Sequence, residues 1–479
     1  MRLRLISTLN NQLNDLMKKT LLLLALCWFS VDVYGQENDL AGTWRGSLDV
    51  MGQKLPLVFH FEQEGEGWKG TADSPAQGAK GMLLKNILFN GLMASWEFEQ
   101  IPAVYEGVLV GDTLKGNFTQ SGTLFQLDLT RVPAGSEVPE IARPQEPKPP
   151  FEYEEMETSF KNASGQVIAG TITKPKGAGP FPSVILISGS GPQNRNGELF
   201  GHKPFWVIAD YLTGNGIAVF RYDERGVGES EGDLAQATSY DLKDDAADAV
   251  SHLRKFPFVN QSKVGAIGHS EGGMIGWMLA AAAKVDFLVA LAAPVVPIDK
   301  FMEQQTLDVL KVANASEEII EQRLTLNKKV YEAVKNTESY KDLEGNLEKM
   351  LREHLDELGI AEESLEVETS AIMDAFGPTL SPWFFEFMKF SSEPFIEKIQ
   401  IPVFAAFGGK DIQTSATMNS EALRKMTTDK GDLFHVVTYP DLNHLFQTSE
   451  TGSVAEYATN PETFNEEVID DIIKWVKGT

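Results

Sequence analysis

The sequence predicts two folded parts. The larger is an α/β domain whose mostly parallel sheet is covered by helices on both faces; it is preceded by a small all-β module, a barrel or a sandwich. Three observations predict this. From Phe151 onward, apolar strand-like runs alternate with helical runs, and parallel strands require such crossovers. From 40 to 131, short alternating runs recur about every ten residues between Gly, Asp and Asn turns. Finally, Gly268-His269-Ser270-Glu271-Gly272-Gly273 stands between the apolar run Lys263–Ile267 and the Ala-rich helical run Met274–Ala283.

The chain has 479 residues and a formal net charge of −26. The charge argues against a nucleic-acid or anionic-membrane partner. At the N-terminus, Lys18-Lys19 precede the apolar stretch Leu21–Val31, which is too short to span a bilayer, and Val33-Tyr34-Gly35 offers a cleavage site. Residues 1–35 therefore read as a secretory signal peptide, with Met17 a candidate true start, and the expected location is periplasmic or secreted. The single cysteine, Cys27, lies inside this segment. The mature chain would have none, which excludes a cysteine hydrolase and a Cys-ligated zinc site.

Residues 36–131 form the expected β-module, with strands at Thr43–Leu48, Leu55–Phe61, Gly67–Thr71, Ala94–Phe98, Tyr105–Val110, Leu114–Phe118 and Leu124–Leu129. Its opening Gly42-x-Trp44 resembles the first strand of lipocalin-like barrels. Residues 132–150 are rich in Pro and Glu and lack a hydrophobic period, so they read as a semi-rigid linker. The catalytic domain is expected over 151–479. Its strands are Gln166–Lys174, Phe181–Ser188, Ile217–Tyr222, the run before Ser270, Phe287–Ala292, Val403–Phe407 and Phe434–Thr438. Helices fall at Phe205–Thr213, Tyr240–Arg254 and Thr463–Lys477. Between the strands at 287 and 403, about 298–398 reads as a helical cap, with Leu343, Leu347, Met350, Leu351, Leu355 and Leu358 on one helical face. The cap ends in the aromatic run Trp383-Phe384-Phe385-Glu386-Phe387, which needs a partner surface or an apolar pocket. Trp383, Phe384 and Phe385 are the expected substrate-binding residues.

The chemistry starts at Ser270. Strand, Gly-flanked turn and helix are the context of a nucleophile elbow, which strains the serine backbone and presents its hydroxyl at a helix N-terminus. A serine hydroxyl is a poor nucleophile without a base, usually His, whose tautomer is held by a carboxylate. Among seven histidines, only His444 follows the last strand in a loop; the others lie in the β-module, before or beside the serine, on the cap or inside a strand. The acid is expected just past the preceding strand, in Gly408-Gly409-Lys410-Asp411, which points to Asp411, with Asp441 the rival. Two backbone N–H groups must meet the oxyanion. One belongs to Glu271. The other comes from Gly189-Ser190-Gly191, either Ser190 or Gly191. In Arg221–Ser230 the glycines lack the third Gly and the lysine of nucleotide loops, so an Asp–Arg ion pair bracing the loop is the expected role.

These motifs, Gly189-Ser190-Gly191, Asp223-x-Arg225-Gly226-x-Gly228-x-Ser230, Gly268–Gly273, Gly408–Asp411 and Asn443-His444, occur in the order seen in α/β-hydrolase fold enzymes. The chain resembles secreted bacterial serine carboxylesterases with a helical cap and an N-terminal β-module, firmly over 151–479 and loosely before it. The resemblance implies Ser270 as nucleophile, Asp411 as acid and His444 as base. It departs at Ser188-Gly189, where many relatives have His-Gly. The expected reaction is hydrolysis of a small-molecule carboxylic ester through an acyl-enzyme, with no cofactor and no metal. Two alternatives stay open: a serine peptidase or amidase of the same fold, and a binding protein that uses the hydrolase half as a scaffold.

Overall fold

A computed structural model describes residues 39–50, 53–65, 67–75, 79–120, 123–133, 142–377 and 380–479. The segment 1–35, read from the sequence as a signal peptide, with Cys27 and Met17, and residues 134–141 of the expected linker lie outside the described residues. Among the described residues, no helix is long and apolar enough to cross a membrane.

The β-module is built from β1 (Gly42–Val50), β2 (Gln53–Glu64), β3 (Gly67–Ser74), β4 (Ala79–Phe89), β5 (Met93–Phe98), β6 (Ala103–Val110), β7 (Thr113–Gln120), β8 (Thr123–Gln126) and β9 (Leu129–Arg131). Its strands run in the order β6-β5-β4-β3-β2-β1-β9-β7-β8, and the additional β6–β7 pairing closes the sheet into an antiparallel barrel. Of the two architectures the alternation allowed, the barrel is the one formed. Closure removes the sheet edges that a lone module would otherwise expose. Trp44, Phe59, Phe61, Trp96 and Tyr105 point inward and are buried. The Trp96 and Tyr105 rings stack at 4.3 Å, and Trp96 meets Phe61 at 4.7 Å. The sequence pattern does not reveal β4, whose face is largely exposed and carries little alternation.

The later part of the Pro/Glu-rich stretch, 142–150, is seated on the α/β domain rather than free. Arg143 and Gln145 hydrogen-bond to backbone groups near 200 and 460.

The catalytic sheet comprises β10 (Tyr153–Lys161), β11 (Val167–Pro175), β12 (Phe181–Ile187), β13 (Ala218–Tyr222), β14 (Val259–His269), β15 (Phe287–Leu291), β16 (Val403–Gly408) and β17 (Phe434–Tyr439). The order is β10-β11-β13-β12-β14-β15-β16-β17. β11 is antiparallel to both neighbours, and from β13 to β17 all pairs are parallel. β10 also escapes the sequence pattern: its residues, Tyr-Glu-Glu-Met-Glu-Thr-Ser-Phe-Lys, are those of a polar edge strand. Strand period 2 splits the core. Val184 and Leu186 face helices α1 (Pro204–Gly214) and α12 (Glu466–Gly478), whereas Ile185 and Ile187 face α2 (Ser239–Leu253) and α3 (Glu271–Ala281).

Between β15 and β16 lie α4 (Ile298–Val312), α5 (Glu317–Asn336), α6 (Leu343–Glu357), α7 (Glu362–Phe376), α8 (Pro382–Lys389) and α9 (Glu393–Ile396); α10 (Ala416–Met426) and α11 (Val454–Thr459) come after β16 and β17. Leu343, Leu347, Leu351 and Leu355 are buried as the helical period requires. Leu358 is exposed because α6 ends before it.

The chain leaves β12 toward β13 on one side and later returns to β14 on the other. The crevice at the carboxyl ends of β12 and β14 is therefore the topological switch point, where ligands of open α/β sheets bind. The turn after β14 fits there only without side chains. A Cβ at Gly272 would lie 2.1 Å from the Ile187 carbonyl oxygen, and one at Gly268 would lie 2.0 Å from that of Gly272. Gly272→Ala should therefore lose about 3 kcal/mol or more of stability, as overpacking against rigid backbone does. Thermal unfolding followed by circular dichroism checks this; an unchanged midpoint would contradict the close approach.

Candidate active site

Ser270 occupies the turn between β14 and α3 with φ 56° and ψ −120°. Positive φ is unfavourable for a side chain with Cβ and persists only where the surroundings impose it. Here they do: the Ser270 N–H donates to the Leu291 carbonyl at 2.8 Å, and its own carbonyl accepts from Gly273 N and Met274 N at 2.9 and 3.2 Å. The oxyanion loop comes equally close, since a Cβ at Gly189 would lie 3.2 Å from that of Ser270.

Asp411 sits in the turn after β16 and is 5% exposed. Its Oδ1 accepts from the N–H groups of Gln413 and Thr414 at 2.8 and 2.7 Å, and its Oδ2 accepts from His444 Nδ1 at 2.7 Å. This contact assigns the Nδ1–H tautomer and leaves Nε2 for the cavity. The loop after β17 is held rigid by Asn443, whose Oδ1 accepts from Leu445 N and Gln447 N, each at 3.0 Å. It is joined to the acid's turn by Lys410 N to Leu442 O at 3.0 Å and Gly409 N to Tyr439 O at 2.7 Å. The side chain of the rival Asp441 is exposed and lies 3.8 Å from Lys410 Nζ, away from His444.

His269, inside the elbow, has a role that the sequence pattern does not show. Its Nε2–H donates to the His444 carbonyl at 2.8 Å, so it tethers the loop of the other histidine. Burial, with nearby His444 adding to it, pushes its pKa down to about 3, so the ring stays neutral.

Ser270 and His444 open into one cavity of ≈ 350 Å³. Glu271, Gly189 and Ser190 form its floor; Trp383, Phe384 and Phe387 of α8 form its cap side. Two expected residues are placed differently. Gly191 is exposed and does not line the cavity, which leaves Ser190 as the loop residue facing it. Phe385 is buried in the cap against Tyr340, under the Lys389 ammonium at 3.9 Å, because successive residues on a helix point to different faces. Phe387, four residues after Trp383, takes its place and stacks on the Trp383 ring at 4.7 Å. Helical spacing groups it with Trp383, though not with the cavity.

The Glu271 side chain makes contacts that the sequence pattern does not show. Its buried Oε1 accepts from Trp383 Nε1 at 2.7 Å and from Ser239 Oγ, while its Oε2 is buried with no hydrogen-bond partner among the described residues. The cap is thus hydrogen-bonded to the residue after Ser270. Glu224 lies nearby, also buried. Its Oε1 pairs with Ser188 Oγ at 2.6 Å, and its Oε2 accepts from Gln193 N at 3.0 Å, so one carboxyl spans both ends of the loop 188–193. Burial, with the charges of Glu271 and Asp245 adding to it, raises its pKa to about 8.

Asp–Arg ion pairs do brace 221–230, each with a partner from outside it. Asp223 binds Arg195 at 2.7 Å, and Arg225 binds Asp245 at 2.6 Å. Among the described residues, no group of His, Cys, Asp and Glu side chains is arranged to hold a metal ion.

Comparison with known proteins finds the following likenesses. Residues 205–348 match the family described as serine aminopeptidase, S33. The chain is 26% identical over 311 residues to esterase EstD of Thermotoga maritima; the match covers 64% of this chain and spans 65% of the length of that relative. Among solved structures, the Pyrococcus furiosus esterase PF2001 aligns at TM-score 0.42 and 13% identity, covering 71% of this chain and 99% of its own. Est1E of Butyrivibrio proteoclasticus, solved with ferulic acid, aligns at 0.40 and 17%, covering 68% and 100%. Sheet order, elbow and the order of the site loops define the class: the protein has an α/β-hydrolase fold, carrying a helical cap and an N-terminal β-barrel.

The Glu224 carboxyl makes a pH prediction. The unfolded chain releases its proton near 4.5, and the folded chain holds it to about 8. The stability this group contributes is therefore full below 4.5 and is lost as the pH climbs to 8. Glu224→Gln imitates the protonated form, donating to Ser188 and accepting from Gln193. Between pH 5 and 8.5 the variant should lose less stability than the wild type, by on the order of 4 kcal/mol. Parallel curves of unfolding midpoint against pH would show that Glu224 is ionised in the folded protein.

Proposed function

We propose that the protein is a serine hydrolase that cleaves small-molecule carboxylic esters through an acyl-enzyme on Ser270. The observation that carries this is the convergence of Ser270, at its strained turn, and His444, hydrogen-bonded to buried Asp411, on one cavity. In this reading Ser270 Oγ attacks the ester carbonyl carbon and its proton passes to His444 Nε2. The oxyanion is met by the N–H groups of Glu271 and Ser190, at the N-terminus of α3. His444 then protonates the leaving alcohol. Water attacks the acyl-enzyme, gives its proton to His444, and the acid departs as Ser270 recovers the proton. Asp411 holds the tautomer throughout. No step needs a cofactor or metal.

The cavity lining favours an ester over a peptide. Among the described lining residues there is no Lys, Arg or Asp, and the one Glu, Glu271, has its Oε1 committed to Trp383 and Ser239. A substrate ammonium group would find no free surface carboxylate there, whereas an uncharged acyl or alkoxy group meets Phe, Leu and Val. The likeness to an enzyme named esterase supports the same choice. Export through residues 1–35 belongs to the same proposal, and N-terminal sequencing of the purified protein checks it.

Ser270→Ala should abolish labelling by a fluorophosphonate probe and lower kcat on p-nitrophenyl acetate by several orders of magnitude; Asp411→Asn, which favours the wrong tautomer, should lower kcat about 10⁴-fold with KM little changed. Labelling that persists in the alanine variant, or faster turnover of peptide nitroanilides than of esters, would overturn the reading.

Trp383 generates a second test. It is the cap residue tied to Glu271, and it walls the cavity. Trp383→Ala should raise KM for p-nitrophenyl octanoate more than for the acetate. An equal effect on both substrates, with a lowered unfolding midpoint, would make Trp383 a packing residue only.

A further inference from the structure

The residues that bring the chain from the barrel to the catalytic domain are hydrogen-bonded to one wall of the active-site cavity. Arg143 spreads its guanidinium over four backbone carbonyls. Nη2 donates to Ala458 at 2.6 Å and to Phe200 at 3.2 Å, Nε donates to Gly201 at 3.2 Å, and Nη1 donates to Asn460. Gln145 uses both ends of its amide. Its Oε1 accepts from Thr463 N and Phe464 N at 2.6 and 3.1 Å, and its Nε2 donates to Phe464 O at 2.7 Å. Glu146 meets Lys203 at 3.4 Å, and Pro147 beside it is buried.

These partners belong to two segments far apart in sequence, 200–203 and 457–464. Phe200, Tyr457 and Phe464 from them line the cavity that holds Ser270. Phe200 and Tyr457 meet edge-on at 5.3 Å. Buried His202 joins the same segments, with Nε2 on the Tyr457 carbonyl at 2.7 Å and Nδ1 on Thr463 Oγ1 at 2.9 Å. Phe200 itself sits at φ 52°, unusual for a bulky residue, so this wall is not held by local backbone preference. Backbone carbonyls left unpaired in a protein interior are costly. A guanidinium, with five donors in a fixed plane, supplies several at once without requiring any particular side chain from the wall.

We propose that Arg143 and Gln145 form a strap that positions the Phe200–Tyr457–Phe464 wall and thereby sets which acyl or alkoxy groups the cavity admits. The proposal rests on the reading of this cavity as the ester site, and it makes both strap residues positioning residues that touch no substrate. It also means that a catalytic domain cut at Pro150 would be missing part of the support for its own pocket, although every residue the reaction needs lies beyond that point.

The test uses full-length protein. Arg143→Ala, the milder Arg143→Gln and Gln145→Ala are compared with Val250→Ala in α2, a cavity-forming change on the other face of the sheet that lowers stability without touching the wall. Two quantities are measured: the ratio of kcat/KM for p-nitrophenyl octanoate to that for the acetate, and the Kd of uncleavable p-nitrophenyl octyl ether, from quenching of tryptophan fluorescence. The strap variants should shift the ratio about tenfold through KM and weaken ether binding to match, while Val250→Ala moves only the unfolding midpoint. Ether binding and a substrate ratio equal to wild type in all three strap variants would overturn the proposal and leave the segment as a tether between domains. Failure of the function reading shows differently, as ester turnover that survives Ser270→Ala, and the ether measurement still decides the strap in that case.

Discussion

The structure depends on one backbone conformation, that of Ser270 at φ 56°. A side chain in that region is strained, and nothing local relieves it. It is imposed from outside by the packing of β14 against β12 and β15, by the Leu291 carbonyl that takes the serine N–H, and by glycines at 268 and 272 that let backbone approach backbone. The strained turn fixes the geometry of the site. The hydroxyl is lifted clear of the sheet, the next N–H points to the same space, and α3 begins with its positive dipole end directly beneath. The remaining site residues are delivered to that point by loops at the carboxyl ends of β12, β16 and β17.

Glu271 turns this local arrangement into a global one. Its N–H lies at the cavity floor, and its carboxylate is hydrogen-bonded to Ser239 at the start of α2 and to Trp383 of the cap. The elbow, a core helix and the cap are therefore held by one side chain. Burying a carboxylate with one oxygen unpartnered is costly. The neighbouring Glu224, which spans the oxyanion loop, sits in the same low-dielectric region, and its proton is retained to about pH 8. Burial comes first in holding that proton, and the neighbouring acids Glu271 and Asp245 add to it.

The cavity draws its walls from parts of the chain with different mechanical support. The floor is sheet and elbow, and is rigid. The cap side rests on α8, where Trp383 is fixed by a hydrogen bond and by stacking on Phe387. The third side, Phe200, Tyr457 and Phe464, belongs to loops and a short helix with little regular structure of their own. Its order comes from polar side chains aimed at main-chain atoms, those of His202, Arg143 and Gln145.

The fold class, the elbow and the chain order of the site loops are legible in the amino-acid sequence. Alternating strand and helix patterns are local properties, and a glycine-flanked serine between an apolar strand and an Ala-rich helix admits few other readings. Asp411 and His444 are legible for the same reason: each comes directly after an apolar strand that the pattern reveals. β4 and β10 are not legible, because a strand with two polar or exposed faces leaves no alternation to detect. Which aromatic of α8 faces the cavity, Phe387 rather than Phe385, is decided by the angle at which the helix docks. Only the folded arrangement pairs Asp223 with Arg195, brings Glu271 to Trp383, and carries Arg143 to carbonyls more than 300 residues away. Such contacts depend on where distant backbone comes to rest, and a main-chain acceptor leaves no mark in the sequence.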